Sequence, residues 1–180
     1  TTPFVRAFPF MLAAIGMAAS ILGVLYVKTF AKSNPQSALM GGTYVSALLT
    51  VGGLAMYTMS RGEPFVLQGV RYGAWGPFFA AVLGIVCGTV VGFVSELFTS
   101  SKYPPVRNLA ERCQTGPAVA VVDGLAVGMQ STALPVLALG ISVVVAYYVS
   151  GIYGIAIAAL GMLATTGMVL SVDSYGPIAD

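Results

Sequence analysis

Ser171-Val172-Asp173-Ser174-Tyr175-Gly176-Pro177-Ile178-Ala179-Asp180 sets two carboxylates at the end of a long apolar run. In an α-helix a spacing of seven is two turns, so Asp173 and Asp180 share a face. They stand roughly 10 Å apart along the axis. That is too far for both to ligate one ion directly, but it suits two stations on one polar path. Pro177 has no N–H, so the carbonyl of Asp173 loses its helical partner, and Gly176-Pro177 is expected to break the helix end. The same residues also read as a helix C-terminus that simply runs into water, because helix ends beside membranes are often acidic and closed by Gly-Pro.

Working outward, the run that leads into this stretch is one of five long enough to cross a bilayer, which takes about 20 residues. The composition leaves no other class. Hydrophobic residues make up 57% of the chain and charged residues 8%, against about a quarter charged in a soluble domain. The mean hydropathy is +0.90. The expectation is an all-α, polytopic transmembrane bundle, one segment over 1–180 with spans at about 8–27, 38–59, 77–97, 115–149 and 152–176. Thr1 at the start and a helical pattern still running at Asp180 suggest a piece of a longer protein. A net charge of +2, with no basic run, argues against a nucleic-acid partner.

The first span is rich in small residues, from Ala13 to Gly23, which let helices approach closely. The third carries Gly84, Gly88 and Gly92, a doubled GxxxG and so a packing face. Gly124 and Gly128 form a similar pair at the start of the fourth run. That run also holds Asp123, Gln130 and Pro135. It reads either as one long helix kinked near Pro135 or as a half-helix followed by a span. Ser60 to Trp75 reads as a connection, with Trp75 and neighbouring aromatics at a membrane interface.

Lys28, Lys32, Lys102, Arg107 and Arg112 fall on one side of a five-span topology, and Arg6, Arg61 and Arg71 on the other. The positive-inside rule then places loops 28–37 and 98–114, and the region of Asp180, in the cytosol. There is no His, so histidine zinc sites and histidine bases are excluded within the chain. Cys87 and Cys113 have no metal or redox spacing and are read as plain thiols. No P-loop lysine motif occurs, so phosphate chemistry would need metal ions held by carboxylates.

With these residues laid out, the chain resembles the membrane-bound, ion-pumping pyrophosphatases. Val172 to Asp180 is similar to the signature on that family's eleventh helix. Gly154 to Leu163 and the stretch Gly124-Leu125-Ala126-Val127-Gly128-Met129-Gln130-Ser131-Thr132-Ala133-Leu134-Pro135 match the eleventh and tenth helices. Gly16 to Val27 with Asn34-Pro35-Gln36 resembles the seventh, and Ser46 to Thr50 the eighth.

The resemblance implies helices seven to eleven of a sixteen-helix homodimeric pump with two concentric rings. Helices seven to ten would lie in the outer ring and the eleventh in the inner. The implied reaction is hydrolysis of magnesium pyrophosphate on the cytosolic side, coupled to export of H⁺ or Na⁺, with any need for K⁺ left open. Asp180 matches the family's metal-binding carboxylate, with Mg²⁺ as the cofactor and Asp173 in a supporting role. No complete catalytic set lies in the chain, which alone is expected to be inactive. Asp123 and Gln130 receive no role. On this topology the fourth span faces the partner subunit, and Tyr147, Tyr148 and Tyr153 lie at the outer interface. The residues by themselves leave a second reading, a secondary transporter or channel subunit with a cation site at Asp173 and Asp180, and a third, a structural membrane subunit.

Overall fold

A computed structural model describes residues 3–30, 35–67, 69–100, 103–114 and 116–179. At 30, 35–40, 172, 173 and 175–179 it describes the backbone alone. The elements in chain order are α1 (Pro3–Phe30), α2 (Pro35–Arg61), β1 (Phe65–Leu67), β2 (Val70–Tyr72), α3 (Gly76–Thr99), α4 (Pro104–Cys113), α5 (Pro117–Leu163) and α6 (Thr166–Ala179). They divide into two compact units. One comprises 1–86 with 143–180, and the other 87–142.

Among the described residues three helical stretches are long and apolar enough to cross a membrane: Pro3–Thr29, Gly76–Cys113 and Pro117–Ser171. The last is 55 residues, about 82 Å if it were straight, well over twice the roughly 30 Å hydrocarbon thickness. It does not run straight. Ser150 (φ −148°, ψ 21°) and Gly151 (φ 63°, ψ −152°) leave helical geometry, and the chain folds back on itself there. A side chain on Gly154 would meet the carbonyl of Ala146, eight residues earlier. A straight helix would hold two such residues about 12 Å apart. Gly151 takes a backbone conformation essentially reserved for glycine.

Ser150-Gly151 lie between the runs read from the sequence as the fourth span, 115–149, and the fifth, 152–176. The expected disruption near Pro135 is corrected: Pro135 lies inside α5, and the residues off helical geometry are Ser150 and Gly151. A second correction concerns the final run. It is interrupted at Ala164 and Thr165, and α6 continues through Gly176 and Pro177 to Ala179. Gly-Pro therefore does not end the helix. Around the interruption the ladder is partly re-formed, with Ala164 N–H donating to Gly161 O at 3.1 Å and Met168 N–H to Thr165 O at 3.0 Å.

In the first unit the helices pack through glycine. Gly23 of α1 lies against the Gly42 carbonyl and Ser46 of α2, and Gly53 of α2 against Ile15 of α1. The paired numbers rise and fall oppositely, so α1 and α2 are antiparallel. Gly16 lies against Ala164, Gly167 against Ser20, and the Tyr153 hydroxyl donates to Val5 O at 2.7 Å. Here the paired numbers rise together, so α1 runs parallel to 152–163 and α6. Gly76 beside Ser150 and Gly84 beside Ala158 make the start of α3 parallel to 152–163 as well. Small residues serve here because lipid tails are as apolar as leucine, so association comes from close van der Waals contact.

The connection after α2 holds an element that the sequence reading treated as a loop. β1 and β2 pair antiparallel in the register Phe65↔Tyr72, Val66↔Arg71 and Leu67↔Val70. Between the strands, Gly69 has φ 82°. Phe65 is buried and stacks on Tyr72 at 5.6 Å, with Tyr153 edge-on at 5.8 Å. Phe4, Phe8 and Tyr57 form an adjoining aromatic cluster. The hairpin thus joins a core that includes Leu12, Leu54, Ala81 and Ile157. The spans are α-helical as expected; this short sheet is an addition to an otherwise helical chain.

In the second unit the basic loop 98–114 is also partly ordered as helix. α4 begins on Pro104 and Pro105, where the missing N–H groups cost nothing at a helix start. Val106, Leu109, Ala110 and Cys113 form one face at helical spacing, with Arg107, Asn108, Glu111 and Arg112 on the rest.

Candidate functional site

Of the two carboxylates singled out from the sequence, one falls in α6. Asp173 lies within that helix, where the backbone alone is described, and Asp180 lies outside the described residues. What the structure does show is how the helix that carries Asp173 is seated. Met168 is fully buried, with its sulfur 3.3 Å from where a side chain on Gly23 would begin. Gly42 leaves room for the Met168 methyl. Gly167 sits on Ser20. The first turn of α6 is therefore packed closely against α1 and α2 at these glycines.

Polar side chains accompany this contact. Ser20 and Ser46 hydroxyls lie 3.5 Å apart, both buried, and Thr50 donates to the Ser46 carbonyl at 2.8 Å. Back-bonding of this kind satisfies a hydroxyl within its own helix where no water is at hand. Thr58 and Ser150 are buried hydroxyls with no partner among the described atoms.

The glycines read as packing positions have different surroundings. Gly84 is buried on the backbone of Ala158, and reciprocally Gly161 lies on the backbone of Ala81. Gly88 is half-buried in α3. Gly92, Gly124 and Gly128 have open space where a side chain would go.

A cavity of about 420 Å³ lies in the second unit, between the end of α3, α4 and the first turns of α5. Asn108, Arg112, Asp123 and Gln130 supply its polar walls, and Phe98 and Leu109 part of its apolar floor. The Arg112 Nη1 to Asp123 Oδ2 distance is 3.5 Å, longer than a tight guanidinium–carboxylate contact. Asp123 and Gln130, to which the sequence reading gave no role, both line it. Spacing alone could not have found it, because Arg112 and Asp123 meet only once α4 folds back on α5. Among the described residues no three His, Cys, Asp or Glu side chains cluster as a metal site would require.

Comparison with known proteins decides the lineage. The family model described as "Inorganic H+ pyrophosphatase" matches residues 3–180. The chain belongs to this family. It is 40% identical over 178 residues to the K(+)-stimulated pyrophosphate-energized sodium pump of Thermotoga maritima, covering 97% of this chain and 24% of that protein. A putative pump of the same description from Clostridium tetani is 39% identical, covering 96% of this chain and 25% of the relative. The K(+)-insensitive pyrophosphate-energized proton pump 2 of Moorella thermoacetica is 34% identical, over 96% and 26%. The chain thus spans about a quarter of the length of the curated relatives it matches. As a member of the H⁺ pyrophosphatase family it is an integral membrane segment, and the long apolar helices are its spans.

Proposed function

We propose that this chain is the five-span part of a pyrophosphate-driven ion pump that presents one metal-binding carboxylate, Asp180, to magnesium pyrophosphate on the cytosolic side. The observation that carries the reading is the family match over residues 3–180, taken with relatives named as pyrophosphate-energized pumps. The whole protein hydrolyses pyrophosphate and exports H⁺ or Na⁺. Related pumps are named both as K(+)-stimulated and as K(+)-insensitive, so potassium is a variable of the same machinery.

The donor chemistry fits magnesium. Carboxylate oxygens are the hard ligands Mg²⁺ prefers, usually one or two per ion together with waters and substrate phosphate. Bound Mg²⁺ would neutralise the pyrophosphate charge and stabilise the leaving phosphate. This chain contributes Asp180 to that ion, Asp173 as a second polar station two turns deeper, and a helix whose first turn is fixed by Met168, Gly23 and Gly42. The remaining ligands come from elsewhere in the pump, so residues 1–180 alone do not turn over substrate. Loops 28–37 and 98–114 lie with Asp180 in the cytosol. Gly92, Gly124 and Gly128, which have open space where a side chain would go, meet other helices of the homodimer.

The test is reconstitution of the full-length pump into sealed vesicles with a pH dye and, separately, with ²²Na⁺. Added magnesium pyrophosphate is expected to drive one of the two ions across. Hydrolysis with no transport of either ion, or transport with no hydrolysis, would refute the reading.

A further inference from the structure

The last apolar run is cut in two at Ala164 and Thr165. Across the cut, Ala164 and Met168 N–H donate three residues back, to Gly161 O at 3.1 Å and to Thr165 O at 3.0 Å. A ladder interrupted in this way no longer passes the tilt and roll of 152–163 to the helix beyond it. α6 must take its orientation from its own contacts. The Ala164 backbone lies on Gly16, Gly167 lies on Ser20, and Met168, 1% exposed, enters between α1 and α2. Its sulfur rests over Gly23, and its methyl lies beside Val27 in the notch left by Gly42. Next to it the buried Ser20 and Ser46 hydroxyls, 3.5 Å apart, tie α1 to α2. The side chains described beyond Met168, at 169–171 and 174, are exposed. Within this unit Met168 is the last described side chain of α6 to be buried.

We propose that Met168 is a positioning residue for hydrolysis: it sets the tilt and roll of α6, and so where the carboxylates that follow it stand. The role rests on the reading of Asp180 as a magnesium ligand. α6 continues from Met168 to Ala179, about 16 Å along the axis. A tilt of about 5° at the Met168 seat therefore moves the end of the helix by about 1.4 Å. Mg²⁺ demands near-ideal octahedral geometry, with ligands at about 2.0–2.1 Å, so a shift of that size takes a carboxylate out of its coordination shell. Methionine suits the seat because it is unbranched and fills an irregular gap. Alanine would empty the gap, whereas leucine would conserve most of its volume.

The experiment measures hydrolysis by the full-length pump as free Mg²⁺ is varied, with the unfolding midpoint of each variant read in parallel. Met168→Ala is expected to raise the Mg²⁺ concentration for half-maximal hydrolysis about tenfold, and Met168→Leu to bring it back to within about threefold. Gly42→Ala, which crowds the same notch from α2, should raise it too, and decides the matter if Met168→Ala does not insert. The control is Leu54→Ala, a fully buried α2 position in the core with Phe8 and Leu12. It should lower the midpoint at least as far while leaving the Mg²⁺ requirement within about twofold. An unchanged requirement in Met168→Ala and Gly42→Ala, or an equal shift in Leu54→Ala, would overturn the role of Met168. Asp180→Asn, run alongside, separates the two levels: lost turnover there with no shift in the Met168 and Gly42 variants sinks the positioning role alone, whereas wild-type turnover sinks the reading beneath it.

Discussion

Replacing Gly84 by alanine tests the packing that holds the first unit together. A methyl at Gly84 would run into the Ala158 carbonyl oxygen and would lie 2.8 Å from the Ala158 carbonyl carbon and 3.0 Å from its Cα. Carbon–carbon contacts are comfortable at about 3.5–4.0 Å, so α3 and 152–163 must part by roughly 0.5–1 Å. Every atom in the way is backbone, and no rotamer change relieves the clash. Overpacking of this kind costs about 1–3 kcal/mol, a 5- to 150-fold shift in the folding equilibrium. The assay is SDS or thermal unfolding of the full-length pump in mixed micelles. Because the obstacle is main chain, Ala158→Gly should not rescue Gly84→Ala. Gly161→Ala strikes the same crossing from the other side, against the Ala81 backbone, so the double variant should lose less than the sum of the singles. A Gly84→Ala protein as stable as wild type would show that the two helices do not cross there, as would full rescue by Ala158→Gly.

Gly151→Ala puts a side chain where φ is 63° and where its Cβ would lie 2.7 Å from the Tyr72 hydroxyl. It should cost about 1–3 kcal/mol in the same unfolding assay, and an unchanged midpoint would remove the fold-back at 150–151. Phe65→Ala deletes a ring that is 2% exposed and should cost about 3 kcal/mol. It should also speed limited proteolysis between Gly62 and Gly76, and an unchanged cleavage rate would argue that the hairpin is not anchored by that ring.

The helical spans were legible because apolar length is a coarse signal that lipid imposes on any chain crossing it. The packing role read into Gly84 rests on a spacing rule that says which residues are small but not what they touch. Its neighbour across the crossing, Ala158, is 74 residues away in the chain and carries no mark of its own. Pro135 drew attention as a helix breaker, yet it is carried inside α5, and the chain reverses at Ser150-Gly151, between the spans read as 115–149 and 152–176. In an apolar run a proline can be carried inside a helix, whereas a tight reversal needs a residue that tolerates positive φ.

The hairpin did have a signal: Phe65-Val66-Leu67 and Val70-Arg71-Tyr72 flank Gln68-Gly69. β-Branched and aromatic residues around a two-residue, glycine-bearing turn are a strand pattern. It was overlooked because the segment is short and charged residues surround it. The cavity of Arg112 and Asp123 was not readable at all. Its charges are unremarkable singly, and only the fold of α4 brings them together. For Asp173 and Asp180 the recognisable feature was the local motif itself.

The measurement that bears most directly on the central claim is magnesium-dependent pyrophosphate hydrolysis by the full-length pump carrying Asp180→Asn. Removing one charged metal ligand without changing side-chain size should abolish turnover while the protein still inserts in the membrane and unfolds at the wild-type midpoint. Wild-type turnover in that variant would contradict the assignment of Asp180 as a magnesium ligand and, with it, the account of what this chain contributes.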